Sequence, residues 1–505
     1  RTHTHTHTYT HTHTHIHTHA TIEHMATMDV SKPAKPPGPS TEKTLQDAIR
    51  AIDSTEKLFS SSVRSLRQRI KMRYETILLD DVVGAAKSSI DKQLWKFGFY
   101  VIIEQYRKIH RRAENRNEGD VSQLGKILFR EFLLEASGFY NNLLIKLEEK
   151  AHAINNDNSA THESCVEQSN TKVSTNFQRV CRTLRHRSLV YLGDIARYET
   201  MLNKDETQQN IVSPYTPFSR AIHFYYQAIS VCADDGSPLN QLALLGVEDG
   251  GLYETFVSTH YYFRSIASKK PGSNAVQNVR GVLRKISLTW KDQKYIPKRQ
   301  HSDLQAAWHD RSQLLTSFYE SFVRLHGVLY IADSLDEFET LCNSVLDLFS
   351  KCLFISWYHT LMPESVFESS GITCATALQL FSTNIFSVWH QQVQSPDASS
   401  RFEDCADYFA VQHFIQYCLY LGQLLQTENH FEMFGDYLAS IKVYIDWLAT
   451  PVRLHRFKLK GQTMSTKRVI RVCCLCGVCV CECVIRVCCL CGVCVCECVI
   501  RVCCL

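Results

Sequence analysis

Residues 186–199 read HRSLVYLGDIARYE, and residues 221–245 read AIHFYYQAISVCADDGSPLNQLALL. Leu192 and Gly193 in the first stretch are followed in the second by Ala221, Tyr225 and Ala228. Small residues at helical spacing let two helices approach closely, and the aromatic between them fills the gap to the next pair. The pattern returns as Leu242 and Ala243, then Ser258, Tyr262 and Ser265, with Pro271 beyond. These positions carry packing. Stacked helix pairs of this kind have no active site of their own and present a concave surface to a partner.

The ladder matches a tetratricopeptide helix pair carrying an inserted loop. Working outward, Leu45, Ile49, Ile52, Leu58, Val63, Leu66 and Ile70 fall at helical intervals and predict a helix over 44–79. Further helices are expected over 82–110, 121–153 and 176–202, with a polar loop at 154–175. Past a basic linker at 291–303 the helical pattern resumes in SFYESFVRLHGVLY, DEFETLCNSVLDLFSKCLF, ATALQLFSTNIFSVWHQ, DYFAVQHFIQYCLYLGQLL and FEMFGDYLASIKVYIDWLA. No stretch alternates polar and apolar residues long enough to argue for a sheet. The predicted class is all-α.

The 505 residues include only 12 Pro and 20 Gly, which favours long helices over turn-rich sheets. Charged residues make up 21% and hydrophobic ones 45%, which excludes wholesale disorder. No apolar run of about 18 residues and no basic–apolar–small leader is found, so neither a membrane partner nor secretion is expected. The ends distort the averages. Residues 1–19 alternate Thr with eight of the 23 His, and residues 468–505, built by repeating the unit RVCCLCGVCVCECVI, hold 14 of the 22 Cys. A His-rich or Cys-rich metal tract is one reading. The other, which we favour, is translation of one ACACAC/GTGTGT repeat from its two strands, a gene-model artefact over 1–28 and 468–505. On that reading the chain starts at Met25 or Met28. Residues 29–467 hold 50 basic and 48 acidic residues, too even a balance for strong non-specific binding of nucleic acid. Their eight Cys are scattered and read as small, reduced core residues. No metal, nucleophile or nucleotide motif is present there, and no cofactor is expected.

The two opening strings together resemble the ever-shorter-telomeres/SMG family of telomerase-binding proteins and nonsense-mediated mRNA decay factors. LWKFGFYVII (94–103), ASGFYNNLL (136–144) and HYYFRSIASKKPGSNAVQNV (260–279) extend the resemblance. RLHGVLYIADSLDEF (324–338), LQLFSTNIFSVWH (378–390) and SIKVYIDWLA (440–449) are most similar to the member with a C-terminal PIN endonuclease. A PIN centre needs clustered carboxylates for divalent metal, and residues 451–505 offer only Glu482 and Glu497. A nuclease activity is therefore not expected. The resemblance implies a 14-3-3-like domain with tetratricopeptide-like helix pairs over 44–290, followed by a helical-hairpin domain over 304–450. A Pro-rich linker (29–43) precedes them and a tail (451–467) follows. It implies a phosphorylated RNA helicase of the decay pathway and other SMG-type decay factors as partners, with nuclear and cytoplasmic location. Telomerase RNA or single-stranded telomeric DNA is the alternative partner.

Phosphoserine carries nearly two negative charges and needs converging Arg or Lys. In 14-3-3 proteins an Arg-Tyr pair on one helix joins a Lys and an Arg seven residues apart on another. By that resemblance Arg197, Tyr198 and Arg107 match, whereas Tyr100 stands where the Lys should be. Lys96, one turn earlier, replaces it only if its stem bends back. Asn240 is matched more weakly to a residue that bonds the peptide backbone. Against this, Arg197 can simply pair with Asp194, three residues earlier on its own helix. Two basic runs are present, at 107–116 and 284–299. The second sets Trp290 and Tyr295 among Arg284, Lys285, Lys291, Lys294, Lys298 and Arg299, a pattern able to stack single-stranded bases. A solvated helix end and linker is the competing reading. Three functions follow: an adaptor in mRNA decay, a telomerase-associated nucleic-acid binder, and a bare scaffold that has lost its phosphate site.

Overall fold

The computed structural model describes residues 46–115, 123–160, 167–204, 218–249, 252–289, 304–331, 335–360, 372–394 and 401–425, together with residue 443. Among these residues the chain is helical without a strand. Their only extended pairing is an isolated bridge between Asp235 and Lys270. The Thr-His and Cys-rich tracts, the segments at 29–43 and 451–467 and the basic linker 291–303 lie outside the described residues. Two compact units meet in sequence at Asp234 and Asp235. That division falls inside the 44–290 span expected to form one domain. The local reason is the turn at 232–236, which separates two helix pairs that each bury their own ladder.

The first unit contains α1 (Thr55–Leu58), α2 (Ser61–Asp80), α3 (Val82–Lys87), α4 (Ile90–Trp95), a π-helical turn (Lys96–Tyr100), α5 (Val101–Asn115), α6 (Gln123–Ala160), α7 (Glu167–Lys204) and α8 (Ser219–Val231). The helices expected over 44–79 and 82–110 are interrupted. Ser54 accepts from the Lys57 amide and starts α1, while Asp81 accepts from the Gly84 amide at 2.9 Å and starts α3. Ser89 has φ 55°, the left-handed conformation that ends one helix and re-aims the next. The polar stretch expected to loop is partly helical: α6 runs on to Ala160 and α7 begins at Glu167. Trp95 stacks on Tyr191 at 4.5 Å, and Phe99 meets Tyr140 at 5.3 Å, so aromatics join α4, the π-turn, α6 and α7. Glu135 on α6 accepts from Arg67 at 3.0 and 2.6 Å, Gln68 at 2.7 Å and Lys71 at 3.0 Å on α2. Burial pushes its carboxyl up, but Arg67 and Lys71 overcome that and hold it at about 2.

The α7–α8 contact is the first ladder. A Cβ on Gly193 would lie 2.3 Å from Tyr225 Cε1, so only glycine admits the ring. Ala221, Tyr225 and Ala228 are fully buried, and the Tyr225 hydroxyl donates to Asp194 Oδ1 at 2.8 Å.

The second unit contains α9 (Ser237–Asp249), α10 (Leu252–Ala267), α11 (Ala275–Thr289), α12 (Leu304–Ile331), α13 (Phe338–Thr360), α14 (Cys374–Gln394) and α15 (Arg401–Leu425). The last helical string of the sequence, 431–449, lies outside the described residues except for exposed Val443. Ser265 occupies its ladder position because its hydroxyl donates to Gly236 O at 2.7 Å and accepts from Gly272 N at 3.3 Å. It ties the end of α10 to the turns on either side. Deeper in, His326 bonds Ser387 at 2.6 Å and Asn384 at 3.1 Å, and Asn384 bonds His413 at 3.0 Å. Phe322, Phe349, Phe381 and Phe409 surround His413.

Two outcomes are expected. Gly193→Ala forces Tyr225 off Asp194 and costs roughly 1–3 kcal/mol, read as a lower urea midpoint; an unchanged midpoint contradicts the close approach. Burial lowers His260, His326 and His413 to about 3 in the folded chain. Their unfolded value is about 6.5, so the stability they hold is complete above that pH and falls between it and about 3. The slope reaches about 1.4 kcal/mol per pH unit for each histidine. A urea midpoint flat from pH 7.5 to 5 contradicts neutral burial.

Candidate functional site

The π-turn sets the register of α5. Tyr100 closes it, and α5 continues for two turns to Arg107, so Tyr100, Glu104 and Arg107 share one face. The Tyr100 hydroxyl is pushed up to about 12, first by burial and then by the Glu104 carboxylate beside it. Glu104 in turn accepts from Arg107 Nη1 at 3.0 Å. Phenol, carboxylate and guanidinium thus form a row along the helix. Lys96 does not stand in for the absent Lys, because its ammonium sits over the Phe97 ring at 4.8 Å.

Across from this row, α7 carries Asp194, Arg197 and Tyr198. Arg197 is 5% exposed, and its Cζ lies 4.4 Å from the centroid of the Tyr198 ring. Arg107 Cζ lies 5.4 Å from the same ring. The two guanidiniums anticipated from the sequence therefore converge on one aromatic, through favourable contact with its π face. Tyr198 is buried, and burial pushes its hydroxyl up. Arg197 Nη2 stands 3.9 Å from Asp194 Oδ1, the pairing that competes with phosphate binding. Tyr225, seated by Gly193, anchors that carboxylate. Each cation therefore already has a carboxylate neighbour, and an incoming dianion must compete with Glu104 and Asp194.

Beside this cluster lies a cavity of about 250 Å³ lined by Tyr106, Arg107, His110, Arg111, Phe129, Tyr198, Met201 and Leu202. Sequence reading missed it, although the basic run at 107–116 contains three of its walls. It also missed Glu104, which the i−3 spacing to Arg107 makes legible.

The remaining sequence-derived residues belong to the second unit or lie outside the described residues. Asn240 belongs to the second unit, where its Oδ1 accepts from Asn278 at 3.2 Å. Arg284 and Lys285 are exposed on α11. Trp290, Lys291, Lys294, Tyr295, Lys298 and Arg299 lie outside the described residues. Among the described residues no cluster of His, Cys, Asp and Glu is able to hold a metal ion, and no helix is long and apolar enough to cross a membrane.

Two family models match in succession. Residues 89–203 match the model described as telomerase activating protein Est1, and residues 221–468 match the Est1 DNA/RNA binding domain. The chain belongs to the ever-shorter-telomeres/SMG family. Arg107, Arg197 and Tyr198 fall in the first Est1 match; Asn240 and the basic run 284–299 fall in the second. Among Est1-like relatives, nonsense-mediated mRNA decay factor SMG7 of Danio rerio is 26% identical over 415 residues, 80% of this chain and 30% of its own length. Telomerase-binding protein EST1A of Danio rerio is 25% identical over 212 residues, 41% of this chain and 12% of its own. The chain thus spans less than a third of either relative. The crystal structure of Est1 and Cdc13 superposes with a TM-score of 0.51 at 14% identity, covering 82% of this chain and 76% of that one, a likeness of fold.

Proposed function

We propose that this chain works by binding rather than catalysis, as an adaptor in nonsense-mediated mRNA decay that holds a phosphoserine-bearing segment of another protein. The carrying observation is the convergence of Arg107 and Arg197 on the Tyr198 ring. Two guanidiniums brought together by separate helices supply the converging donors that a phosphoserine requires. By resemblance the partner is the phosphorylated RNA helicase of the decay pathway, in a complex with other SMG-type factors, in nucleus and cytoplasm. SMG7, named for that pathway, aligns over most of the chain. The carboxylates beside both cations make the affinity modest unless the ligand displaces them.

Calorimetry with a phosphoserine peptide tests this. The phosphorylated form binds at least tenfold more tightly than its unmodified twin, and Arg107→Ala abolishes the difference. Arg197→Glu does the same, but its buried position calls for a circular-dichroism check of folding. Tyr100→Lys places a cation beside Glu104 and tightens phosphopeptide binding about tenfold, the order of one charge-assisted hydrogen bond. Equal affinity for the two peptides overturns the reading.

A second reading, binding of telomerase RNA or single-stranded telomeric DNA, is favoured by the Est1 DNA/RNA binding match that includes 284–299. Lys294→Glu with Lys298→Glu then lowers the slope of log affinity against log salt by about 1.4 for a single strand, since two lysines no longer neutralise a phosphate each. An unchanged slope removes these lysines from the interface.

A further inference from the structure

The cavity next to the cation pair goes beyond what the phosphate reading uses. Its walls divide by chemistry. Tyr106 and Phe129 stack at 3.8 Å with rings 13° apart, and Phe59 packs against both, so one wall is rigid. Met201 and Leu202 on α7 form an apolar wall with them. Arg107, His110 and Arg111 supply the polar part, and no carboxylate among the described residues lines the space. A volume of about 250 Å³ is below the usual size of a small-molecule pocket. It suits one large side chain. Arg107 and Tyr198 line the cavity and also belong to the cation cluster, so a chain gripped there has its neighbouring residues at the cavity mouth.

We propose that this cavity is a specificity subsite that takes a large apolar side chain of the bound peptide, one or two residues from the phosphoserine. The occupant is a phosphopeptide because the space is basic at its rim and apolar inside. An extended peptide advances about 3.3 Å per residue, so a side chain one or two positions away reaches a space that adjoins the phosphate grip. The stacked Tyr106–Phe129 wall is preformed, which lowers the ordering cost of binding. Met201 is the adaptable wall and sets how large a side chain fits.

The inference rests on the phosphate reading, and calorimetry on the full 505-residue chain separates the two. The probes are an Ala-rich phosphoserine peptide, versions with Leu or Phe one or two positions before or after the phosphoserine, and the unphosphorylated Leu peptides. One Leu position is expected to bind about tenfold more tightly than the Ala peptide. In Met201→Trp that ratio falls to about one. In Met201→Ala the preferred residue moves from Leu to Phe, which keeps the test independent of whether the Trp variant folds. If every phosphopeptide binds with the same affinity, the subsite is overturned and the phosphate grip stands. If none binds more tightly than an unphosphorylated Leu peptide, both fall.

Discussion

The absence of a side chain at Gly193 is the constraint on which the first unit depends. It lets the Tyr225 ring lie against the backbone of α7, and the Tyr225 hydroxyl then fixes Asp194. Asp194 stands beside Arg197, and Arg197 lies against Tyr198, which Arg107 reaches from α5. A packing contact between two helices is thus continuous with the electrostatics of the candidate site. A buried guanidinium is expensive unless its partners are held in place. The ladder supplies that hold.

The candidate site is balanced in charge. Two guanidiniums sit beside two carboxylates, so the cluster is near neutral before any ligand arrives. Singly charged groups gain little by entering such a cluster. On the proposed reading a phosphoserine, with nearly two charges and three acceptor oxygens, competes with the carboxylates for both cations. Tyr100 adds no charge where a Lys would have. Its hydroxyl lies near Glu104, which accepts from Arg107.

The second unit solves a different problem. It buries polar side chains in quantity and links some of them to one another, as in the chain from Ser387 through His326 and Asn384 to His413, while His413 Nε2 and the Ser321 hydroxyl stay buried with no hydrogen-bond partner. Such a network specifies a single packing of α12, α14 and α15, because a helix shifted by one residue would strand its partners in an apolar surround. Its buried histidines lose their stabilising neutrality first as pH falls, before the Glu135 ion pairs of the first unit are protonated.

Helicity and the two ladders were determined by sequence alone, because small and aromatic residues at helical spacing leave few alternatives to close helix pairing. Arg107, Arg197 and Tyr198 were legible too, but through resemblance to a family; spacing offered no reason to bring α5 and α7 together. Only the tertiary structure decided that both cations share one ring, that Glu104 and Asp194 already attend them, and that an apolar cavity opens beside them. The interruption at Ser89 and the π-turn before Val101 were hidden for the same reason. Helical periodicity reports which face is buried, whereas a break in register and a cavity arise from how distant helices meet.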